Sequence, residues 1–184
     1  MLKVYIFKGY EKTLGAEHQY TLSCQNNLAV LLKQQMDLEG AERLYRKALA
    51  GRQKLLGCQH FETADTMNNL AVLLFDMGKN LDEAEDLFRL ALAGRGLLYQ
   101  TDHPIILKTR LNLANLLKSK GKLEESKNIY IQILNTVESN SESNYLDIIS
   151  ISMKLADTYI EMDNNIYAQK QKEAISNANA NANA

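Results

Sequence analysis

One short core recurs along the chain at an almost fixed interval. Residues 27–32 and 69–74 both read Asn-Leu-Ala-Val-Leu-Leu, residues 112–117 read Asn-Leu-Ala-Asn-Leu-Leu, and residues 154–159, Lys-Leu-Ala-Asp-Thr-Tyr, form a weaker fourth copy. The anchoring alanines Ala29, Ala71, Ala114 and Ala156 are separated by 42, 43 and 42 residues. A period of this size marks a stacked array, in which each copy is one supersecondary unit that buries its apolar face only against its neighbours. Twelve residues after each anchor comes a second small residue, Ala41, Ser126 and Ala168, with Ala84 displaced by the extra residue of the turn Gly78-Lys79-Asn80-Leu81. Paired small residues are expected where two antiparallel helices approach closely.

Each copy therefore predicts helix A, a turn, helix B and a short connection. In the first copy helix A covers roughly 18–35 and helix B roughly 38–55. Acidic residues open the second helix, Glu39 and Glu42, then Asp82 and Glu83, then Glu124 and Glu125, where negative charge favours a helix N-terminus. The basic residues that follow in the first copy, Arg43, Arg46, Lys47, Arg52 and Lys54, are expected to form a solvated face, with Glu39 to Arg43 and Glu42 to Arg46 at i, i+4 spacing.

Composition supports an all-helical reading and excludes several functions. The chain has 184 residues, 46% of them hydrophobic and 23% charged, and its one proline is Pro104; Leu, Ala, Lys, Glu, Gln and Arg fill long stretches, and these lose little rotamer freedom in a helix. With 21 basic against 22 acidic side chains there is no global positive field, so nucleic acid is not an expected partner. No run approaches the roughly 20 apolar residues of a membrane span. Cys24 and Cys58 form no C-x-x-C pair and the first residues do not read as a leader, which points to a reducing, cytosol-like compartment.

No motif for catalysis or for a cofactor is found. His18, His60 and His103 sit at equivalent points of successive copies, too far apart in a stacked array to share a zinc ion whose ligands lie about 2 Å from it. Packing and hydrogen bonding before helix A is their expected role. Cys24 falls among helix A residues, Cys58 in a connection, and neither has a histidine pattern that would activate it.

Asn-Asn-Leu-Ala-x-Leu-Leu, a Gly-Lys turn, Ala-Glu-x-Leu-Tyr-Arg-x-Ala-Leu-Ala and Leu-Gly-x-x-His together resemble the 42-residue tetratricopeptide variant of kinesin light chains, over residues 1 to about 168. The resemblance implies an all-α fold, an α-α superhelix of antiparallel helix pairs. On this register residues 1–13 are the remnant helix B of a preceding repeat, 14–57 repeat one, 58–100 repeat two, 101–142 repeat three and 143–176 a degenerate capping repeat four. In that last repeat Gln171 and Lys172 stand where repeat one has Leu44 and Tyr45, and Asn-Ala copies follow at 177–184, expected to be disordered.

In an array of this kind one arc of helix A lines a concave groove. On a wheel with 100° per residue, Leu22, Gln25, Leu28, Ala29 and Leu32 form the core arc of repeat one, and the groove arc carries Asn26, Asn27, Val30 and Lys33. Its counterparts are Asn68, Asn69, Val72 and Phe75 in repeat two, Lys108, Asn112, Asn115 and Lys118 in repeat three, and Lys154 in repeat four. The resemblance implies a protein or peptide partner, acidic with an aromatic anchor, and no cofactor. Amides pair with peptide backbone, lysines attract carboxylates, and Val72 and Phe75 receive an apolar anchor; Asp65 and Asp76 are expected to repel an acidic ligand locally. Asn27, Asn69 and Asn112 also have a structural reading, as hydrogen bonds between neighbouring helices. No heptad segment of the kind that joins such light chains to a motor is present, and Ile6 and Phe7, apolar on an unpaired first helix, leave open a structural subunit wedged into a larger assembly.

Overall fold

In the computed structural model the repeat register resolves into helices. The structure describes residues 2–138 and 145–182, with the side chains of 8–138, 149–167 and 169–170. The expectations that rest on the side chains of Ile6, Phe7, Ala168, Gln171 and Lys172 lie outside these. The described residues form α1 (Leu2–Leu14), α2 (Gln19–Gln34), α3 (Leu38–Leu56), α4 (Phe61–Asp76), α5 (Leu81–Gly96), α6 (Pro104–Ser119), α7 (Leu123–Glu138) and α8 (Tyr145–Ala182). They fall into two compact units, 1–116 and 117–184.

In the first unit α2 packs on α3 and α4 on α5, while α1 against α2 and α3 against α4 join successive pairs. The small residues sit at the closest approaches, with Ala29, Ala41, Ala71, Ala84 and Ala114 fully buried. Between them lie the aromatic residues Tyr45 and Phe88, and burial pushes the Tyr45 phenol up to about 12 because a phenolate there would be desolvated. Two glycines sit where a neighbouring helix or connection passes close. A Cβ on Gly51 would stand 2.4 Å from a Leu22 methyl, and one on Gly94 would stand 3.0 Å from the Ala64 Cβ and 3.2 Å from the Gln59 carbonyl oxygen.

The three hairpin turns use one local device. Met36, Gly78 and Gly121 take positive φ of 64°, 62° and 73°, and the next amide reaches back five residues, Asp37 to the Leu32 carbonyl, Lys79 to Leu74 and Lys122 to Leu117. This satisfies carbonyls that a helix end leaves open. The extra residue of the second turn is absorbed by Asn80, itself left-handed at φ 49°, just before α5. The histidines close the other end of each helix A: Nδ1 of His18, His60 and His103 accepts the amide N–H two residues on, from Tyr20, Glu62 and Ile105, at 3.2 Å each. Pro104 follows His103 as the first residue of α6, where its missing N–H costs nothing.

In the second unit α7 packs on α8, and here the sequence expectation fails in three respects. Residues 145–182 form one helix rather than a hairpin, and the helix continues to Ala182 where disorder was expected. The residue equivalent to Met36, Gly78 and Gly121 is Asp163, which stays helical. A following segment without a strong apolar stripe gains little by folding back, whereas extending an existing helix avoids a new nucleation cost. Third, Ala156 is exposed, unlike its three counterparts. α8 instead buries Ile151 and Thr158, on the opposite side of the helix.

Candidate functional site

The asparagine strip lies where first helices of successive pairs meet. α2 and α4 touch directly, and Asn69 Nδ2 donates to Asn26 Oδ1 at 3.3 Å across that contact. Asn26 is almost buried and its own Nδ2 faces Asn27 Oδ1 at 3.5 Å; Asn27 is exposed. The inter-helix bond expected of Asn27, Asn69 and Asn112 is thus made from Asn69 to Asn26, the neighbour of Asn27. Val30, Asn68, Val72 and Phe75 are half-buried along the same two helices, and the buried Asn68 Oδ1 has no hydrogen-bond partner. On α6, Lys108 is exposed while Asn112 and Asn115 are half-buried.

The lysines and aspartates of the strip carry less net charge than their sequence suggests. Lys33 Nζ is 2.6 Å from Asp76 Oδ2, and in the second unit Lys118 Nζ is 3.9 Å from Glu161 Oε2. Asp65 Oδ1 accepts from Arg95 Nη2 at 2.7 Å and Nε at 3.1 Å. The repulsion expected from Asp65 and Asp76 is therefore cancelled locally, as is much of the attraction from Lys33 and Lys118. Among the described residues Lys108 in the first unit and Lys154 in the second make no ion pair.

Two arginines missed by sequence reasoning hold the strip in place. Arg52, expected on a solvated face, is only 5% exposed. Its Nη1 donates to the Glu62 carbonyl at 2.8 Å and to Thr66 Oγ1 at 2.7 Å, and its Nη2 to Ser23 Oγ at 3.0 Å. Nη2 also lies 3.3 Å from Glu62 Oε2, an ionic contact without hydrogen-bond alignment. One α3 side chain thereby ties α2 to α4. Burial lowers the pKa of Arg52, opposed by the charges of Glu62 and Asp65. Arg95, one repeat on, repeats the arrangement from α5, bonding Asp65 on α4 and Thr109 on α6. The next rung is apolar: Val137 and Ile151, at the equivalent places in α7 and α8, are both buried. The repeat alignment contained the signal, since Arg52 and Arg95 are 43 residues apart, as are Thr66 and Thr109.

The outer edge of the first unit carries a separate ladder. Arg46 pairs with Glu83 at 2.6 Å and with Glu42 at 3.0 Å, and Lys79 reaches Glu42 at 3.2 Å. Arg46 holds the Glu83 carboxyl below the usual range. For Glu42 burial acts upward, but bonds from Arg46 and Lys79 outweigh it and the net shift is down.

Among the described residues no helix is long and apolar enough to cross a membrane. Residues 20–96 and 107–135 match the tetratricopeptide repeat family. Among solved structures, BtubC (BKLC) of P. vanneervenii is 25% identical over 77% of this chain and 56% of its own, with a TM-score of 0.68. The chain thus spans little more than half the length of that relative. A putative kinesin light chain of Podosopora anserina with nearly identical TPR-like repeats has a TM-score of 0.77 at 22% identity, over 94% of this chain and 81% of its own. No curated protein matches.

Proposed function

The chain belongs to the tetratricopeptide repeat family, with repeats of the kinesin light chain type, a family of protein-interaction scaffolds, and we propose that it is an adaptor that binds an extended peptide of a partner protein along the amide strip of α2, α4 and α6. The observation that carries this reading is the composition of the strip once its ion pairs are set aside. It is a run of amides, of which Asn26, Asn27 and Asn69 bond one another, beside half-buried Asn68, Val72 and Phe75 and the exposed Lys108. Asparagine offers a donor and an acceptor to a peptide backbone. Val72 and Phe75 suit an aromatic anchor, and Lys108 suits a carboxylate beside it. Two free cysteines, Cys24 and Cys58, fit a reducing, cytosol-like setting for this role.

The test is fluorescence anisotropy with short peptides carrying one aromatic residue flanked by acidic ones. Wild type should bind. Lys108→Glu should weaken binding about tenfold, some 1.4 kcal/mol, and raising salt should narrow that difference. Asn68→Ala should weaken binding in a manner that salt does not reverse. Equal affinity of wild type and both variants, or no binding to any peptide, would count against the proposed face.

A further inference from the structure

One cation of the amide strip is already answered from within the chain. Lys33, one residue before the end of α2, holds its Nζ 2.6 Å from Oδ2 of Asp76, the last residue of α4. Asp76 directly follows Phe75, so the pair stands at the end of the strip that carries the apolar anchor position.

The two positions change together along the array. Counted by repeat, the place of Lys33 is taken by Phe75 and then by Lys118, and the place of Asp76, one repeat further on, by Ser119 and then by Glu161. Where a lysine occupies the first place a carboxylate faces it, at 2.6 Å in the first unit and, as Lys118 Nζ to Glu161 Oε2, at 3.9 Å in the second. Where Phe75 replaces the lysine, Ser119 replaces the carboxylate. The acid accompanies the lysine rather than the helix end.

Structural support does not account for the pair. Its side chains are 29% and 47% exposed, and a pair so open to water adds little to stability, while Arg52 and the bond from Asn69 to Asn26 already join α2 to α4. Its effect on a ligand is larger. Asp76 is tethered beside Lys33, so it competes there at the high effective concentration of an intramolecular partner. An incoming carboxylate has to displace it, and meets a neutral pair in place of a cation.

We propose that Asp76 is a specificity-determining residue of the strip, an internal competitor that occupies Lys33 and directs the acidic flank of a peptide ligand to the exposed Lys108. This rests on the reading of the strip as a peptide site. The ligand is then ordered, with its aromatic residue at Val72 and Phe75, its carboxylates at Lys108 and none at Lys33.

The test is anisotropy with a fluorescein-labelled peptide of one tryptophan flanked by glutamates, and with its glutamine counterpart. Asp86→Asn, on α5, removes the same charge away from the strip and is the control. Asp76→Asn should bind the glutamate peptide about two- to fivefold tighter, with no gain for the glutamine peptide and none from Asp86→Asn. Zero-length carbodiimide coupling and mass mapping read the contact itself: the peptide's carboxylates should couple to Lys108 and not to Lys33 in wild type, and to both in Asp76→Asn. Peptide coupled to Lys33 in wild type overturns the proposal alone, because the strip still binds. An affinity unchanged by Asp76→Asn, or a gain shared by Asp86→Asn or the glutamine peptide, does the same. No binding by any of the three proteins overturns it together with the reading it rests on.

Discussion

Arg52→Ala tests the account of how successive helix pairs are tied together. The Arg52 side chain is 6% exposed and its guanidinium makes three hydrogen bonds, to the Glu62 carbonyl, Thr66 and Ser23. Truncation leaves Thr66 and Ser23 without this donor and the mostly buried Glu62 carboxylate without its cation, though Gln19 Nε2 still donates to Glu62 Oε1 at 2.9 Å. Removing one partner of a buried pair typically costs about 3–5 kcal/mol. Because Glu62 keeps the Gln19 bond and part of its solvent contact, the lower end applies, about 3 kcal/mol. For a chain of this size that corresponds to a fall in Tm of about 6–12 °C. The chain also supplies the control. Arg52→Val/Thr66→Ile/Glu62→Gln copies the apolar rung of Val137 and Ile151 and removes the stranded charge, and it should recover at least half of the loss, since apolar replacement of a buried ionic group is often neutral. Urea unfolding would measure both, with hydrogen exchange to localise the loss to α2–α4, because repeat arrays need not unfold in one step. A loss under about 1 kcal/mol for Arg52→Ala would refute the reasoning, since only a solvated arginine behaves so.

Other outcomes follow from single features. His60→Ala should cost about 0.5–2 kcal/mol in urea unfolding by removing the acceptor for the Glu62 amide, and His60→Asn should restore most of it; equal stability of the two variants would discount the cap. Gly94→Ala should destabilise by about 1–3 kcal/mol, since its Cβ would press on the Ala64 Cβ at 3.0 Å and the Gln59 carbonyl oxygen at 3.2 Å, whereas Gly9→Ala, whose Cβ meets nothing within 4 Å, should stabilise by about 0.5–1 kcal/mol. Thermal melts that move the same way for both would contradict this. The folded pKa values of Glu42 and Glu83 lie below their ordinary ones. Their contribution is therefore present above about pH 4.3 and is lost as pH falls through the lowered values. Glu42→Gln/Glu83→Gln should flatten the acid limb of stability against pH, and an unchanged limb would remove the ladder from the account.

The turns and the close approaches were legible because each rests on local chemistry that recurs at a fixed offset. Gly78 and Gly121 mark left-handed positions, and Ala29, Ala71 and Ala114 mark the tight contacts. Met36 shows the limit of such reading, since it takes the same φ without glycine, held by the Asp37 amide reaching Leu32. Arg52 was misjudged because a run of basic residues on a helix reads as solvated, and its burial depends on Thr66 and Glu62 of the next pair. Ala156 failed for a related reason. A pattern fixes which residues are able to pack, but burial also needs a covering helix, and none is supplied where α8 runs straight through Asp163. Of the candidate face, residue types and positions were readable, while the pairing of Lys33 with Asp76 joins successive repeats, that of Asp65 with Arg95 joins the two helices of one repeat, and neither is marked in the local pattern.

The rungs bear on how arrays of this sort can be cut and rejoined. Each junction is written half on one repeat and half on the next: an arginine at the end of α3 or α5 expects a hydroxyl in the following helix, while Val137 at the end of α7 is matched by Ile151. A splice made at repeat boundaries that set Val137 before Thr66 would bury a hydroxyl with no guanidinium to meet it, and one that set Arg95 before Ile151 would leave its Nη1 without the hydroxyl it bonds, though Asp65 would keep the rest of the guanidinium paired. The transferable module for these rungs is therefore a second helix together with the first helix after it, and shuffling on that frame would keep each arginine with its threonine and Val137 with Ile151.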